Sequence, residues 1–200
     1  AFFGGDVPLS CNMQKNFTEE DLLQLSVEEL LDLFRTLNSP TIEEMDGEYT
    51  AYLLAQPNWL ADKIGQITLN NPFRRWLSKA FRPVDTTTGR GYNTFLKGHR
   101  VVQYYPMLTM IAPSRFDNQP AYQLVYRQFH STCGSINMVD EIRRVSPNLY
   151  LGIGTYGFTH HQRHIPYPFL LKGPHTLYRG DIGRKRDGFQ ISSREIPRLF

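Results

Sequence analysis

The 200-residue chain has few cysteines, few tryptophans and no long apolar run, and each shortage excludes something. No stretch of 18 consecutive apolar residues occurs, so no transmembrane segment is expected. Cys11 and Cys133 are the two cysteines; they allow one disulfide between the N-terminal arm and the second half, or two buried thiols. The nucleophile elbow Gly-x-Ser-x-Gly is missing, which removes the usual basis for a serine hydrolase. Neither Gly-x-Gly-x-x-Gly nor a phosphate loop occurs, so a nucleotide fold is disfavoured and no cofactor is expected. The formal net charge is only +3. Its clearest basic runs, "RRW" at 74–76 and "GRKRDG" at 183–188, are short and read as solvated surface, so no nucleic-acid partner is expected.

Aromatic residues, by contrast, are plentiful: 13 Phe and 11 Tyr, which suit strands and apolar cavities. The chain starts "AFFGGDVPLSC" without Met, as a processed mature protein would. Asn16-Phe17-Thr18 is a glycosylation acceptor. Together with one available disulfide, these features lead us to expect a secreted, extracellular protein. The length suits a single domain over 1–200, and nothing in it decides between monomer and homo-oligomer.

Residues 1–17 read as an irregular arm. Over 18–38, Thr18 with Asp21 and Ser26 with Glu29 give two capping signals, and Leu22, Leu23, Leu30, Leu33, Phe34 and Leu37 recur near helical spacing. An N-terminal helical extension packed on a core is expected. "MDGEYTAYLL" alternates so that Tyr49, Ala51 and Leu53 share one face, which predicts a first strand. "NPFRRWLSKAF", with Pro in its first turn, predicts a short helix between the early strands, whereas "PNWLADKIGQITL" is ambiguous. From residue 89 the texture is β, with strands expected over 89–96, 99–113, 121–129, 135–145 and 148–158 and turn chemistry between them. Consecutive strands on short loops make an antiparallel meander, and closing it gives an up-and-down barrel that can enclose one small ligand. The fold class is therefore mainly β. The barrel core is expected over 45–158, with a loop, short strands and a tail over 159–200.

Two stretches resemble lipocalin-like (calycin) barrels. Gly47-Glu48-Tyr49 stands where the first strand of that superfamily carries Gly-x-Trp, with Tyr in place of Trp. Asp140-Glu141-Ile142-Arg143, followed by Leu149, Leu151 and Gly152, is similar to a later pattern in lipocalin-like proteins. The resemblance implies a barrel with an apolar interior and Arg143 covering its closed end near Tyr49. It also implies a hydrophobic ligand such as a pigment or carotenoid, a retinoid, a sterol or a fatty acid. Some members are isomerases, synthases or lyases.

Candidate site residues follow from the stripes. Tyr49, Ala51 and Leu53 would face the interior from the first strand, with Tyr122, Leu124 and Tyr126 from "AYQLVYRQF". Ile136, Met138 and Ile142, and then Leu149, Leu151 and Ile153, continue the lining, while Asn93 and Tyr105 add polar groups that orient a ligand. The main reading is a carrier or store for a small hydrophobic molecule. The alternative is a cofactor-free isomerase, lyase or hydrolase acting on a lipid-like or terpenoid substrate, with His160, His164 or Asp140 as acid or base. His160 and His164 are four apart, but the stretch reads His-His-Gln-Arg-His with Pro166 and Pro168 after it and no matching ligand nearby, so no metal site is expected. Cys133 with His130 is rejected as a nucleophile pair, because residues three apart on a strand point to opposite faces.

Overall fold

A computed structural model describes residues 17–59, 63, 65, 70, 71, 73–197 and 199. Both N-terminal capping boxes form. Thr18 caps α1 (Glu19–Gln24) with Asp21 returning to its N–H, and Ser26 with Glu29 does the same for α2 (Val27–Thr36). Each box satisfies two otherwise unpaired N–H groups, which lets such short helices start. Leu22, Leu30 and Phe34 form the buried stripe.

Among the described residues nine strands follow: β1 (Gly47–Leu53), β2 (Asn70–Asn71), β3 (Arg74–Pro83), β4 (Thr88–Lys97), β5 (Arg100–Pro113), β6 (Pro120–Val125), β7 (Val139–Ser146), β8 (Leu149–Thr155) and β9 (Tyr167–Thr176). All pairings are antiparallel. The order β1-β9-β8-β7-β6-β5-β4-β3, with β1 also pairing β3, closes an eight-stranded barrel, and β2 adds a short flap on β3. Closure pairs every barrel strand on both sides and so leaves no open edge.

The barrel differs from the sequence expectation in four places. The helix expected over 71–81 is β2 and β3 instead; upstream, Trp59, Lys63 and Gly65 are helical. A β-bulge between Trp76 and Ser78 makes Leu77 an extra residue, so Trp76 and Lys79 both face inward although they are three apart. That spacing imitates a helix. Second, the strand expected from 135 starts at Val139, because Ser131 caps a single helical turn, α3 (Thr132–Ser135), which carries Cys133 and stops short of Ile136. Third, β9 lies between β8 and β1, so the barrel extends to residue 176 rather than 158. Fourth, Leu149, Leu151 and Ile153 face outward, into the layer covered by α1 and α2. β8 is buried on both faces, so its apolar stripe does not mark the interior, and Leu151 is no part of the cavity.

Arg143 also points outward. Its guanidinium donates to the carboxylate of Asp117 at 2.6 and 2.7 Å and to the carbonyls of Phe34, Gln119 and Pro120, and it stacks 4.5 Å from the Phe34 ring. It therefore bolts α2 to the β5–β6 turn rather than covering Tyr49. Tyr49 packs with Phe81 and Tyr150 inside the closed end and donates to the Glu44 carbonyl at 3.0 Å. The tail after β9 folds back over the outer face of β5 and β6, where Ile196 is buried with Ala112 and Val125. Among the described residues, no helix is long and apolar enough to cross a membrane.

Candidate functional site

The end of the barrel opposite Tyr49 holds a cavity of about 100 Å³. Its lining is mostly apolar: Leu53, Trp76, Phe95, Met138 and Phe169 on the walls, with Tyr105 and Tyr167 towards the rim. Phe169 reaches its place because Gly152 opposes it; a Cβ at Gly152 would stand 2.1 Å from the Phe169 ring. Tyr105 is aimed by a second bulge. The β4–β5 register shifts between Gly91 and Asn93, and Tyr105 has φ of 55°, a left-handed conformation that costs a bulky residue energy. The turned ring accepts a hydrogen bond on its hydroxyl from the Arg74 guanidinium, which lies 3.9 Å from the Phe95 ring. Arg74, read from sequence as solvated, therefore packs against the rim.

A polar group is set into this apolar wall. Lys79 Nζ donates to Asp140 Oδ2 at 2.8 Å, to the Tyr126 hydroxyl at 2.6 Å and to Asn93 Oδ1 at 3.1 Å. Tyr126 in turn donates to the same Asp140 Oδ2 at 2.9 Å, and Trp76 Nε1 donates to Asn93 Oδ1 at 3.1 Å. The side chains of Lys79 and Asp140 are each only 4% exposed. Rings of Trp76, Tyr126 and Phe169 surround the ammonium at 5.0 to 5.4 Å. Burying an ion pair this deeply costs several kcal/mol per charge, which hydrogen bonding and mutual attraction offset. Burial, reinforced by the Asp140 charge, holds the Tyr126 phenol well above its usual range, so it stays a donor. Burial pushes the Cys133 thiol on the same wall up to about 12, so it is a thiol near neutral pH.

Of the residues expected to bind ligand, Leu53, Asn93, Tyr105, Tyr126 and Met138 line the cavity, together with Asp140. Tyr49, Ala51, Tyr122 and Leu124 are in the barrel interior but not in the cavity lining. His160 and His164 stack on each other at 4.2 Å in the β8–β9 loop, with His164 Nδ1 at 2.7 Å from the His160 carbonyl, and neither lines the cavity. Among the described residues no cluster suited to a metal ion occurs. Cys133 is a buried free thiol, while Cys11 and Asn16 lie outside the described residues. Lys79, Trp76, Phe95 and Phe169 were missed by the sequence reading. The signal available for Lys79 was a lone lysine two residues after Leu77 and just before Ala80 and Phe81, in a stretch whose bulge mimics a helix.

A wider groove, of about 660 Å³, lies at the closed end between α2 and the β7–β8 turn. Its charged pair, Arg144 and Glu44 at 2.8 Å, is partly solvated and already satisfied. The cavity is smaller, but a buried ion pair with its hydrogen-bond partners stands on its wall, so we place the candidate site there.

Fold and site together define an eight-stranded antiparallel barrel with a small, mostly apolar cavity carrying one buried polar group. No protein-family model matches the chain, and no curated protein does. The chain is similar to a crystal structure of a protein from Thermomonospora curvata, with 14% identity over 74% of this chain and 87% of that one and a TM-score of 0.49.

Proposed function

We infer that the protein binds a small organic molecule in the barrel cavity, in the manner of lipocalin-like carriers. The observation that carries this reading is the Lys79–Asp140–Tyr126–Asn93 group buried on the wall of an otherwise apolar cavity. Volume narrows the ligand. A cavity of about 100 Å³ is well below the 300 Å³ or so where drug-sized pockets begin and close to the size that accepts benzene. A sterol, retinoid or carotenoid is far too large to lie inside it whole. The seated part is then a ring or short chain of roughly benzene size. Burying about 150–200 Å² of apolar surface gives about 4–5 kcal/mol before ordering costs, which puts affinity near the millimolar range unless polar contacts add to it.

Fluorobenzene followed by 19F NMR tests the reading. Concentration-dependent broadening and shift with the wild-type protein, lost in Met138→Trp, is the expected result. An unperturbed fluorobenzene signal with wild-type protein overturns it.

The enzymatic alternative keeps one observation in its favour, since Asp140 faces the cavity as an acid–base group. It requires turnover of a bound compound that Asp140→Asn abolishes while binding persists. His160 and His164 stand outside the lining and take no part in that reading.

A further inference from the structure

The hydrogen bonds of the buried group are unevenly used, and the imbalance bears on what the cavity takes. Lys79 Nζ has three protons, and all three are taken by Asp140, Tyr126 and Asn93. The Tyr126 proton goes to Asp140 Oδ2, and the Tyr126 oxygen accepts from Lys79 and from Asn93 Nδ2 at 3.3 Å. Asn93 Oδ1 accepts from both Lys79 and Trp76. Every donor that Lys79, Tyr126 and Trp76 turn to this wall is therefore engaged. Asp140 differs. Both of its bonds fall on Oδ2, and Oδ1 has no hydrogen-bond partner among the described residues, although the residue is only 3% exposed.

The backbone beside Oδ1 is Gly154, paired directly with Asp140 across β7 and β8 and itself part of the cavity lining. A Cβ at Gly154 would stand 3.0 Å from Asp140 Oδ1. The missing side chain keeps the approach to that oxygen open from the cavity. Oδ1 is not one of the buried unpaired atoms, so it keeps open surface at the cavity as a charged acceptor, and a bond to a charged acceptor is among the stronger hydrogen bonds. Within the buried group the protons of Lys79, Tyr126 and Trp76 are already spent, and the open position is an acceptor.

We propose that the cavity selects a compact, neutral molecule carrying a hydroxyl, a phenol or small cyclic alcohol, whose O–H donates to Asp140 Oδ1. The proposal deepens the binding reading above and rests on it. A carboxylate ligand meets an unpaired oxygen of its own sign, and a cationic ligand gives up its hydration to enter a mostly apolar cavity whose one carboxylate is already paired with Lys79. A carbonyl or ether oxygen, being only an acceptor, has no proton to give to Oδ1. The apolar remainder of the molecule lies against Trp76, Phe95 and Phe169.

Four probes of similar size decide it by 19F NMR titration of the whole chain: fluorobenzene, 4-fluorotoluene, 4-fluoroanisole and 4-fluorophenol. The expected result is that 4-fluorophenol binds about tenfold or more tightly than 4-fluorotoluene and 4-fluoroanisole. Equal binding of all four overturns the hydroxyl assignment and leaves the cavity as a plain apolar site. If none of the four binds, the binding reading fails along with it. Gly154→Ala locates the acceptor: its φ lies outside the left-handed region, and the new methyl, 3.0 Å from Oδ1, crowds that oxygen and blocks the approach to it. The phenol advantage should then shrink to about threefold or less while 4-fluorotoluene still binds. A full advantage retained in Gly154→Ala overturns the role of Asp140 Oδ1.

Discussion

Lys79 and Asp140 are held in the barrel by each other. Removing one leaves the other charged, buried and unpaired. Lys79→Met is therefore expected to cost about 3–5 kcal/mol in urea unfolding. Replacing both, as Lys79→Met with Asp140→Leu, removes the desolvation cost on both sides and should return stability to wild type or raise it by about 1–4 kcal/mol. A double variant as unstable as the single one would show that the pair holds the fold rather than serving the cavity. Cys133, on the same wall, makes a kinetic prediction. With burial pushing its thiol up to about 12, its thiolate fraction near pH 8 is about three orders of magnitude below that of an exposed cysteine. After reduction, iodoacetamide should label Cys133 at least that much more slowly in the folded protein than in urea, as read by peptide mass spectrometry. Equal rates would contradict its burial.

At the level of elements, α2 depends on one side chain from the barrel. Arg143 donates to the last turn of α2 through the Phe34 carbonyl and grips Asp117 with both terminal nitrogens. Burial raises the Asp117 carboxyl, but the Arg143 hydrogen bonds and the Gln119 N–H outweigh it and hold it below its ordinary range. Arg143→Met strips five hydrogen bonds from this cluster, leaving Asp117 only the Gln119 N–H, and should cost about 3–5 kcal/mol in thermal or urea unfolding. An effect below about 1 kcal/mol would mean that α2 docks through Leu30 and Phe34 alone. Much of this architecture was legible in the residues. Thr18/Asp21 and Ser26/Glu29 carry their meaning locally, because a capping box needs only four residues. Strands β4 and β5 are bounded by plain turn chemistry. What stayed hidden depends on distant partners. β3 looks helical because its bulge brings Trp76 and Lys79 to one face. β8 looks inward-facing at Leu149, Leu151 and Ile153 because helices cover its outer side. In both cases tertiary pairing overrides a periodicity that is correct for an isolated segment. The same applies to the cavity: Tyr126, Asn93 and Asp140 were visible as polar residues on strands, but not the lysine that joins them.

The whole molecule closes by strand pairing and is then wrapped by its own C-terminal tail, which ion pairs hold alongside main-chain hydrogen bonds such as those between His130 N–H and the Arg184 carbonyl and between Arg186 N–H and the Gln128 carbonyl. Asp181 bridges Arg82 at 2.7 Å and Arg90 at 3.2 Å, and Glu195 pairs with Arg127 at 2.9 Å. The Arg82 hydrogen bond, against partial burial and helped by Arg90, holds Asp181 below its ordinary range. Burial raises Glu195, yet the Ser192 and Arg127 bonds outweigh it, so its shift is also downward. A carboxylate lowered in the folded state contributes stability that is present above its unfolded pKa and lost as pH falls through the folded one. Both tail contacts should thus be intact above about pH 4.5 and weaken progressively below it. Glu141, beneath the tail and raised by burial, works in the opposite sense: its contribution is complete at low pH and declines as pH rises above its unfolded value. The tail carboxylates act on residues 177–197 and Glu141 on the barrel wall, so acid should loosen the tail before the barrel opens. Hydrogen exchange corrected for intrinsic rates should show protection of 177–197 falling between about pH 5 and pH 3 while β4 and β5 stay protected. The Asp181→Asn, Glu195→Gln double variant should show the same loose tail already at neutral pH. Tail and barrel losing protection together, or a double variant as protected as wild type, would mean that Ile196 and its apolar neighbours hold the tail without the ion pairs.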